Sequence, residues 1–212
     1  RLPDLLIIEG PKAGGHLGIK EKNLEDPKHD LAHTVHEVKE FLDREGLEIP
    51  VVAAGGIWNK VEMDHFLSEE VGADGVQLAT RFILTEECNF GAAFEQVHKE
   101  AKKRGLVIIK SPTGYDGRAV NTDLTEKLAR GEYDKSNCIY ECLTHCRFRE
   151  DGETFCILNA LVVAKSRDMK QVVKHGLVFA GAQAGRDTEI TTVKEIMDSL
   201  KGINRFKQEV NS

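Results

Sequence analysis

The sequence predicts an α/β fold in which parallel β-strands alternate with the helices that flank them. Three apolar runs, each too short for a helix, end in glycine or another small residue and precede a helical stretch: 5–10, 50–57 and 72–82. Such runs are typical of strands buried on both faces of a parallel sheet. Glycine at a strand's carboxyl end lets backbone N–H groups approach a ligand, because no Cβ atom stands in the way. We therefore expect a ligand site on the carboxyl-end face of a sheet or barrel.

Composition narrows the class of protein. The chain has 212 residues, enough for one large domain or a domain with an appendage. It carries 29 Lys plus Arg against 35 Asp plus Glu, and the net charge of −6 argues against broad nucleic-acid binding. No apolar run approaches the roughly 20 residues that span a bilayer, so we expect no membrane partner. Five cysteines without a signal-peptide pattern indicate reduced thiols in a cytoplasm. A buried-strand pattern begins close to Arg1, and we interpret the chain as a piece of a longer protein.

The helices between these strands follow from hydrophobic spacing. Apolar residues recur at helical spacing over 31–42, 63–71 and 90–97, and Asn59 is predicted to cap the second of these helices. A fourth short strand is predicted at 106–109. The order β-α-β-α-β-α-β with short connections requires right-handed crossovers, so we expect residues 1–110 to form consecutive parallel units.

The pattern changes after residue 110. Residues 111–117 have turn chemistry, and residues 178–182 are interpreted as a short strand or a return to the barrel mouth. Helices are predicted at three places: 123–130, about 156–164, and from about 192. We therefore expect 111–212 to be a mostly helical segment that contains most of the cysteines.

Four of the cysteines form a cluster in sequence, Cys138-x3-Cys142-x3-Cys146-x9-Cys156. Spacing of four places the first three on one helical face. Clustered thiolates can hold zinc or an iron–sulfur cluster, with His145 as a further candidate ligand, but this spacing departs from the usual two or three intervening residues. A disulfide in an oxidised sample and packed free thiols are the alternatives. We assign no metal.

Three motifs together resemble the nitronate monooxygenase family, formerly called 2-nitropropane dioxygenase, which includes the type II flavin-dependent enoyl-acyl-carrier-protein reductases. The motifs are Ala13-Gly14-Gly15-His16-x-Gly18, Val52-Ala53-Ala54-Gly55-Gly56-Ile57 and the run from Gly72 through Asp74-Gly75-Val76-Gln77-Leu78-Ala79-Thr80-Arg81 to Phe82. The resemblance covers residues 1–110 and extends through Phe179-Ala180-Gly181. It implies the C-terminal part of a TIM (β/α)8 barrel with FMN at its carboxyl-end face. Residues 1–110 would supply about the last four βα units, and 111–212 a Cys-containing helical segment that returns to the barrel.

The resemblance also implies roles for individual residues. His16 would be the catalytic base that takes a proton α to the nitro group. Seven residues would contact FMN: Gly14 and Gly15 at the isoalloxazine ring, Gln77 at the flavin side, and Gly55, Gly56, Ala79 and Thr80 at the phosphate. Family members often have glycine in place of Ala79. From the residues alone, the alternatives are a loop histidine bonded to backbone carbonyls at His16, a flexible loop hinge at Gly14-Gly15, and tight strand–helix packing at Gly55-Gly56.

Other polar residues carry weaker signals. Glu9 ends its strand and is a candidate carboxylate beside the flavin. Asp74 and Arg81 are expected to be structural. Tyr115 and Arg118 follow the fourth predicted strand and either bind substrate or belong to an ordinary turn.

The function that the resemblance implies is FMN-dependent oxidation of alkyl nitronates or nitroalkanes by O2. FMN is expected instead of FAD because no GxGxxG turn is present. NAD(P)H-dependent enoyl-acyl-carrier-protein reduction on the same scaffold, or an inactive fragment of such an enzyme, are the alternatives. The expected partners are a small-molecule substrate, nitronate or enoyl thioester, and either the missing N-terminal half of the barrel or a second copy of the chain.

Overall fold

The computed structural model describes residues 1–133, 138, 140–142, 144–150 and 152–203. This part of the chain contains six strands: β1 (Leu6–Glu9), β2 (Gly15–Leu17), β3 (Val51–Ala54), β4 (Gly75–Gln77), β5 (Leu106–Lys110) and β6 (Asp116–Val120). It contains nine α-helices: α1 (Leu31–Arg44), α2 (Lys60–Phe66), α3 (Ala92–Lys99), α4 (Ala101–Arg104), α5 (Asp123–Ala129), α6 (Arg147–Glu150), α7 (Ile157–Val163), α8 (Met169–His175) and α9 (Val193–Leu200). Short 3-10 helices are present at Glu21–Asn23, Pro27–His29 and Thr80–Leu84. No helix of these described residues is long and apolar enough to cross a membrane.

The first three predicted strands form a parallel sheet in the order β1-β3-β4. Their register places Glu9, Ala54 and Gln77 side by side, so the three carboxyl ends lie at one edge. The Asp74 carboxylate holds the start of β3. Its Oδ2 accepts hydrogen bonds from Val51 N at 2.8 Å and from Lys39 Nζ at 3.0 Å. Both this sheet and the structural role of Asp74 agree with the sequence analysis.

Helix α1 lies where its sequence predicts, and α2 begins after its predicted cap Asn59 but ends at Phe66, short of the predicted 71. The Asp30 carboxylate caps α1 by accepting from the amides of Ala32 and His33. Val35, fully buried, packs from α1 into the cluster that contains Val51 of β3. Helix α1 therefore covers one face of the parallel sheet, because its apolar stripe is buried there.

The opposite face of β1 is open in the described part of the chain. Leu5 and Ile7 point away from α1 and are 48% and 51% exposed. The register places Ile7 beside Val52 and Val52 beside Gly75, and Val52 is only partly buried. In a closed barrel this face would be the interior.

The fourth predicted strand exists, but its predicted parallel pairing is wrong. β5 pairs antiparallel with β6, and β6 pairs antiparallel with β2, which gives a second sheet in the order β2-β6-β5. A turn connects β5 to β6, with Ser111 N donating to Tyr115 O at 3.0 Å, and so short a connection joins antiparallel strands only. The sequence did not reveal β6 because Asp116, Gly117 and Arg118 are poor strand formers.

This hairpin crosses the domain boundary that we placed after residue 110. Downstream of it, α5, α7 and α9 lie where helices were predicted, and α8 was not anticipated. The division into 1–110 and 111–212 stays a prediction about domains.

Residues 178–183 return to the sheets, as predicted. Phe179 forms an antiparallel bridge with Ala119 of β6. Val120 N donates to Val178 O at 2.9 Å, and Ala180 N donates to Arg118 O at 3.1 Å. This return segment therefore pairs with the last residues of β6, on the edge where β2 pairs with the first ones.

The cysteines do not share a helical face. Cys138, Cys142 and Cys146 lie outside the helices, and α6 begins only at Arg147. The prediction that a spacing of four places these three cysteines on one helical face is wrong, because apolar residues do not recur at helical period around them. Within the described residues, all five cysteines are free thiols and no three His, Cys, Asp or Glu side chains form a group that could hold a metal ion.

Candidate functional site

A cleft of about 290 Å³ lies at the carboxyl ends of β1, β3 and β4. Its walls include all seven residues that the sequence analysis assigned to a cofactor: Gly14, Gly15, Gly55, Gly56, Gln77, Ala79 and Thr80. The walls also include Phe179, Ala180 and Gly181 of the predicted return, together with residues that were not anticipated there, among them Lys12, Ile83 and Gln183. The strand register thus brings three separate loops together around one cavity.

The turn after β3 requires glycine at both positions. Gly55 and Gly56 have φ values of +101° and +82°, a region that residues with a Cβ rarely adopt. A Cβ on Gly55 would also lie 2.9 Å from Ala13 N. The amide nitrogens of Gly55 and Gly56 donate to no other described residue. The turn therefore presents two N–H groups that a ligand can use.

Helix α2 begins just after the glycine turn, and its positive N-terminal end is capped by a carboxylate. Glu62 Oε2 accepts hydrogen bonds from Trp58 N at 2.7 Å and Asn59 N at 3.2 Å. Burial raises the pKa of Glu62, but hydrogen bonds from Arg186, Trp58 and Asn59 outweigh it and hold the pKa below its usual value. The negative charge of this carboxylate therefore opposes any attraction of the α2 dipole for a phosphate.

Two arginines hold the residues around this turn. Arg186 Nη1 donates to Glu62 Oε1 at 2.6 Å, and Arg81 Nη1 donates to Trp58 O at 2.8 Å. Both guanidinium groups lie over the buried Trp58 ring, 5.8 and 5.9 Å from its centroid. Gln183 Nε2 donates to Gly56 O at 3.1 Å. The structural role expected for Arg81 is confirmed.

The return segment also contacts the other two loops. Gly181 N donates to Thr80 Oγ1 at 3.2 Å, and Ala182 N donates to Lys12 O at 3.0 Å. Gly14 packs so closely that a Cβ there would lie 2.4 Å from Gly181 N. The loops that line the cleft are thus fixed to one another through backbone contacts.

His16 lies beside the cleft and is not part of its lining. Its Nε2 atom is 2.7 Å from Ser111 Oγ and 3.3 Å from Thr113 Oγ1. Its ring meets the ring of Phe179, which does line the cleft, edge to face at 5.1 Å between centroids. Burial lowers the pKa of His16, so the neutral imidazole predominates at pH 7. Sequence reasoning missed Ser111, and the only signal for it was a hydroxyl directly after a strand.

The three remaining candidate residues lie in three different places. Glu9 lines the cleft, and burial raises the pKa of its carboxyl. Arg118 donates to Ala13 O and thereby supports the first loop. Tyr115 is exposed and lies in a neighbouring cleft beside Lys20.

Comparison with solved structures identifies the class of fold. FabK from Thermotoga maritima superposes with a TM-score of 0.66 at 22% identity, covering 96% of this chain and 55% of that one. Nitroalkane oxidase from Streptomyces ansochromogenes superposes with a TM-score of 0.61 at 22% identity, covering 94% and 51%. These neighbours are TIM-barrel proteins.

The family follows from the sequence itself. The family model described as nitronate monooxygenase matches residues 1–202, and the chain belongs to that family of oxidoreductases. A probable nitronate monooxygenase from Staphylococcus haemolyticus is 29% identical over 131 residues, which are 61% of this chain and 35% of that protein. A probable nitronate monooxygenase from Staphylococcus aureus strain Newman is 30% identical over 133 residues, which are 62% of this chain and 35% of that protein. The chain thus spans about a third of the curated relatives it matches. The resemblance stated from the motifs is confirmed.

The contact at Gly14 is open to a direct test. We expect Gly14→Ala to lower the free energy of unfolding by at least about 2 kcal/mol, because the added Cβ meets backbone that cannot rotate away. Gly18→Ala in the same motif is the matched control, since its Cβ would meet no atom within 4 Å and its φ is not positive. Urea denaturation measures both variants. Equal stabilities of the two variants would contradict this account of the loop.

Proposed function

We propose that this chain is part of an FMN-dependent enzyme that oxidises alkyl nitronates or nitroalkanes with O2. The observation that carries the proposal is the convergence of the seven assigned residues on one cleft in a member of the nitronate monooxygenase family. Proteins of this family are in general flavin-dependent.

The residues of the cleft fit FMN. The Gly55 and Gly56 amides have no partner among the described residues. The Thr80 oxygen accepts from Gly181 N, which leaves the hydroxyl proton to donate to a phosphate. A Cβ on Gly15 would meet no atom within 4 Å, so a flat ring can approach the backbone there. Ala79 has a negative φ of −127°, so this position does not need the positive φ that favours glycine. The departure from the glycine common in the family therefore does not count against this site. When bound, FMN supplies the two-electron acceptor.

His16 is the proposed base. Its neutral imidazole can accept the α-proton of a nitroalkane, and the Ser111 hydroxyl at 2.7 Å fixes the direction of Nε2. The ring packs against Phe179, which lines the cleft, and so lies next to the proposed flavin site. A preformed nitronate has already lost this proton and does not need the base.

The function is tested on the protein as isolated, in its native assembly. We expect heat to release FMN and no FAD, and we expect oxygen uptake with propyl nitronate. Oxidation of NADH or NADPH on addition of crotonyl thioester, without oxygen uptake on nitronate, would instead establish the reductase alternative. Absence of any flavin would refute both.

The role of His16 predicts a difference between two substrates. We expect His16→Asn to reduce kcat/KM for neutral nitroethane by roughly 10²–10⁴-fold and to change kcat/KM for ethyl nitronate little. For the unmodified protein, kcat/KM for nitroethane should rise with pH and level off below the usual histidine pKa, because the lowered pKa leaves the base neutral there. Equal losses for both substrates would assign His16 to binding or to tuning of the flavin.

The open face of β1 indicates what completes the site. We propose that further barrel strands cover Leu5 and Ile7, supplied by polypeptide outside these 212 residues. An unpaired parallel edge strand with exposed apolar side chains favours pairing. The superposition covers only 55% of the FabK chain, so nearly half of that chain has no counterpart in these 212 residues. The free cysteines accord with the cytoplasmic location that we propose.

Association of the isolated 212-residue chain tests this face. We expect sedimentation to show oligomers or aggregates, and we expect the double variant Leu5→Lys, Ile7→Lys to reduce association about tenfold or more, because it places charge on the uncovered face. Val61→Lys on α2, an exposed position on the far side of the sheet, is the control. A monodisperse, cooperatively folded monomer that carries FMN would contradict the proposal, and a defined dimer would make a second copy the covering partner.

A further inference from the structure

Lys12 lies directly against the glycine turn of the proposed phosphate site. A Cβ on Gly56 would be 2.7 Å from Lys12 Cβ and 2.9 Å from its Cδ. The aliphatic stem of the lysine therefore runs across Gly56, and its ammonium lies two bonds farther along. Lys12 lines both the main cleft and the neighbouring cleft on the other side of this turn.

The other cations around the turn are committed to protein partners. Arg186 pairs with Glu62 at 2.6 Å, and Lys60 pairs with Asp64 at 2.6 Å. Arg81 donates to Trp58 O. The Lys12 ammonium makes no hydrogen bond or ion pair with any residue in the described ranges.

The Lys12 ammonium, unpaired among the described residues, matters because few charged side chains line the cleft. Glu9 and Lys12 are the titratable side chains among its lining residues. A phosphate monoester carries about −1.5 to −2 charges at pH 7. The end of α2 does not offset that charge, because the Glu62 carboxylate caps it. The amides of the turn supply hydrogen bonds but no net charge.

We propose that Lys12 is the counter-ion for the phosphate monoester of the flavin and selects FMN over riboflavin. This inference rests on the proposed function. The Gly56 turn brings the ammonium to the ligand, since the absence of a side chain at Gly56 lets the lysine stem cross the turn.

A packing role for the stem is the competing explanation, and the choice of ligand separates the two. Apoprotein in its native assembly is titrated with FMN and with riboflavin, and flavin fluorescence is followed at low and at moderate salt. The variants are Lys12→Met, which keeps an aliphatic stem, and Lys12→Arg, which keeps the charge. Lys103→Met, an exposed lysine on α4, controls for the loss of one positive charge.

We expect Lys12→Met to weaken FMN binding about 10- to 100-fold, the range typical of a charge-assisted hydrogen bond, and to change riboflavin binding less than about twofold. Lys12→Arg should retain most of the preference for FMN, and Lys103→Met all of it. The preference of the unmodified protein should fall as salt rises. An equal loss for both flavins in Lys12→Met, or an unchanged ratio between them, overturns the proposal.

Failure of the proposed function gives a different result. If neither flavin binds the unmodified protein, the assignment to FMN is wrong, and inorganic phosphate then tests Lys12 separately. Stabilisation of the unmodified protein and Lys12→Arg by phosphate, absent in Lys12→Met, would still support an anion site. Equal thermal shifts in all three would refute it.

Discussion

The hydrogen bonds of residues 178–183 hold the candidate site together. This short return segment bonds to β6 through Val178, and further along it reaches each of the three loops that line the cleft: Lys12, Gly56 and Thr80. These loops belong to successive strand-to-helix connections, and the segment that links them lies about 100 or more residues away in the chain. Backbone contact of this kind tolerates no side chain between the partners, which is why Gly14 faces Gly181 directly. The geometry of the cleft therefore depends on the contact between the loop after β1 and the return segment, which are far apart in the sequence.

The antiparallel sheet determines where the proposed base lies. His16 is opposite Gly117 in the pairing of β2 with β6, and a Cβ on Gly117 would be 2.9 Å from the ring of Phe179. The missing side chain makes room for Phe179, whose ring then packs against His16. The turn between β5 and β6 supplies Ser111 to the other side of the imidazole. The burial that lowers the His16 pKa and the hydrogen bond that orients the ring thus have a common origin in the hairpin.

The sequence was informative where one local rule decides the structure. Short continuous apolar runs located the parallel strands, period-3.6 spacing located most helices, and glycines at strand ends located the cleft. β6 escaped because pairing with two neighbours outweighs the low strand propensity of Asp116, Gly117 and Arg118. The carboxylate at the start of α2 could also have been predicted from the sequence. Asn59 followed three residues later by Glu62 is a capping-box pattern, and the capping box is present. The contacts that the return segment makes could not be predicted from the sequence, because contacts across 100 or more residues leave no periodic pattern.

The cleft and the open face of the parallel sheet are two layers of one surface. Glu9, Ala54 and Gln77 form the row beneath the cleft, and the next row, Ile7, Val52 and Gly75, is the uncovered apolar face. Strands that covered this face would close the cleft from below and bury Glu9 further, which would raise the pKa of its carboxyl beyond the present shift. A ligand that spans the cleft would in turn contact residues on both sides of the new boundary. Binding of such a ligand and covering of the open face would then be thermodynamically linked, since each would favour the state that the other stabilises.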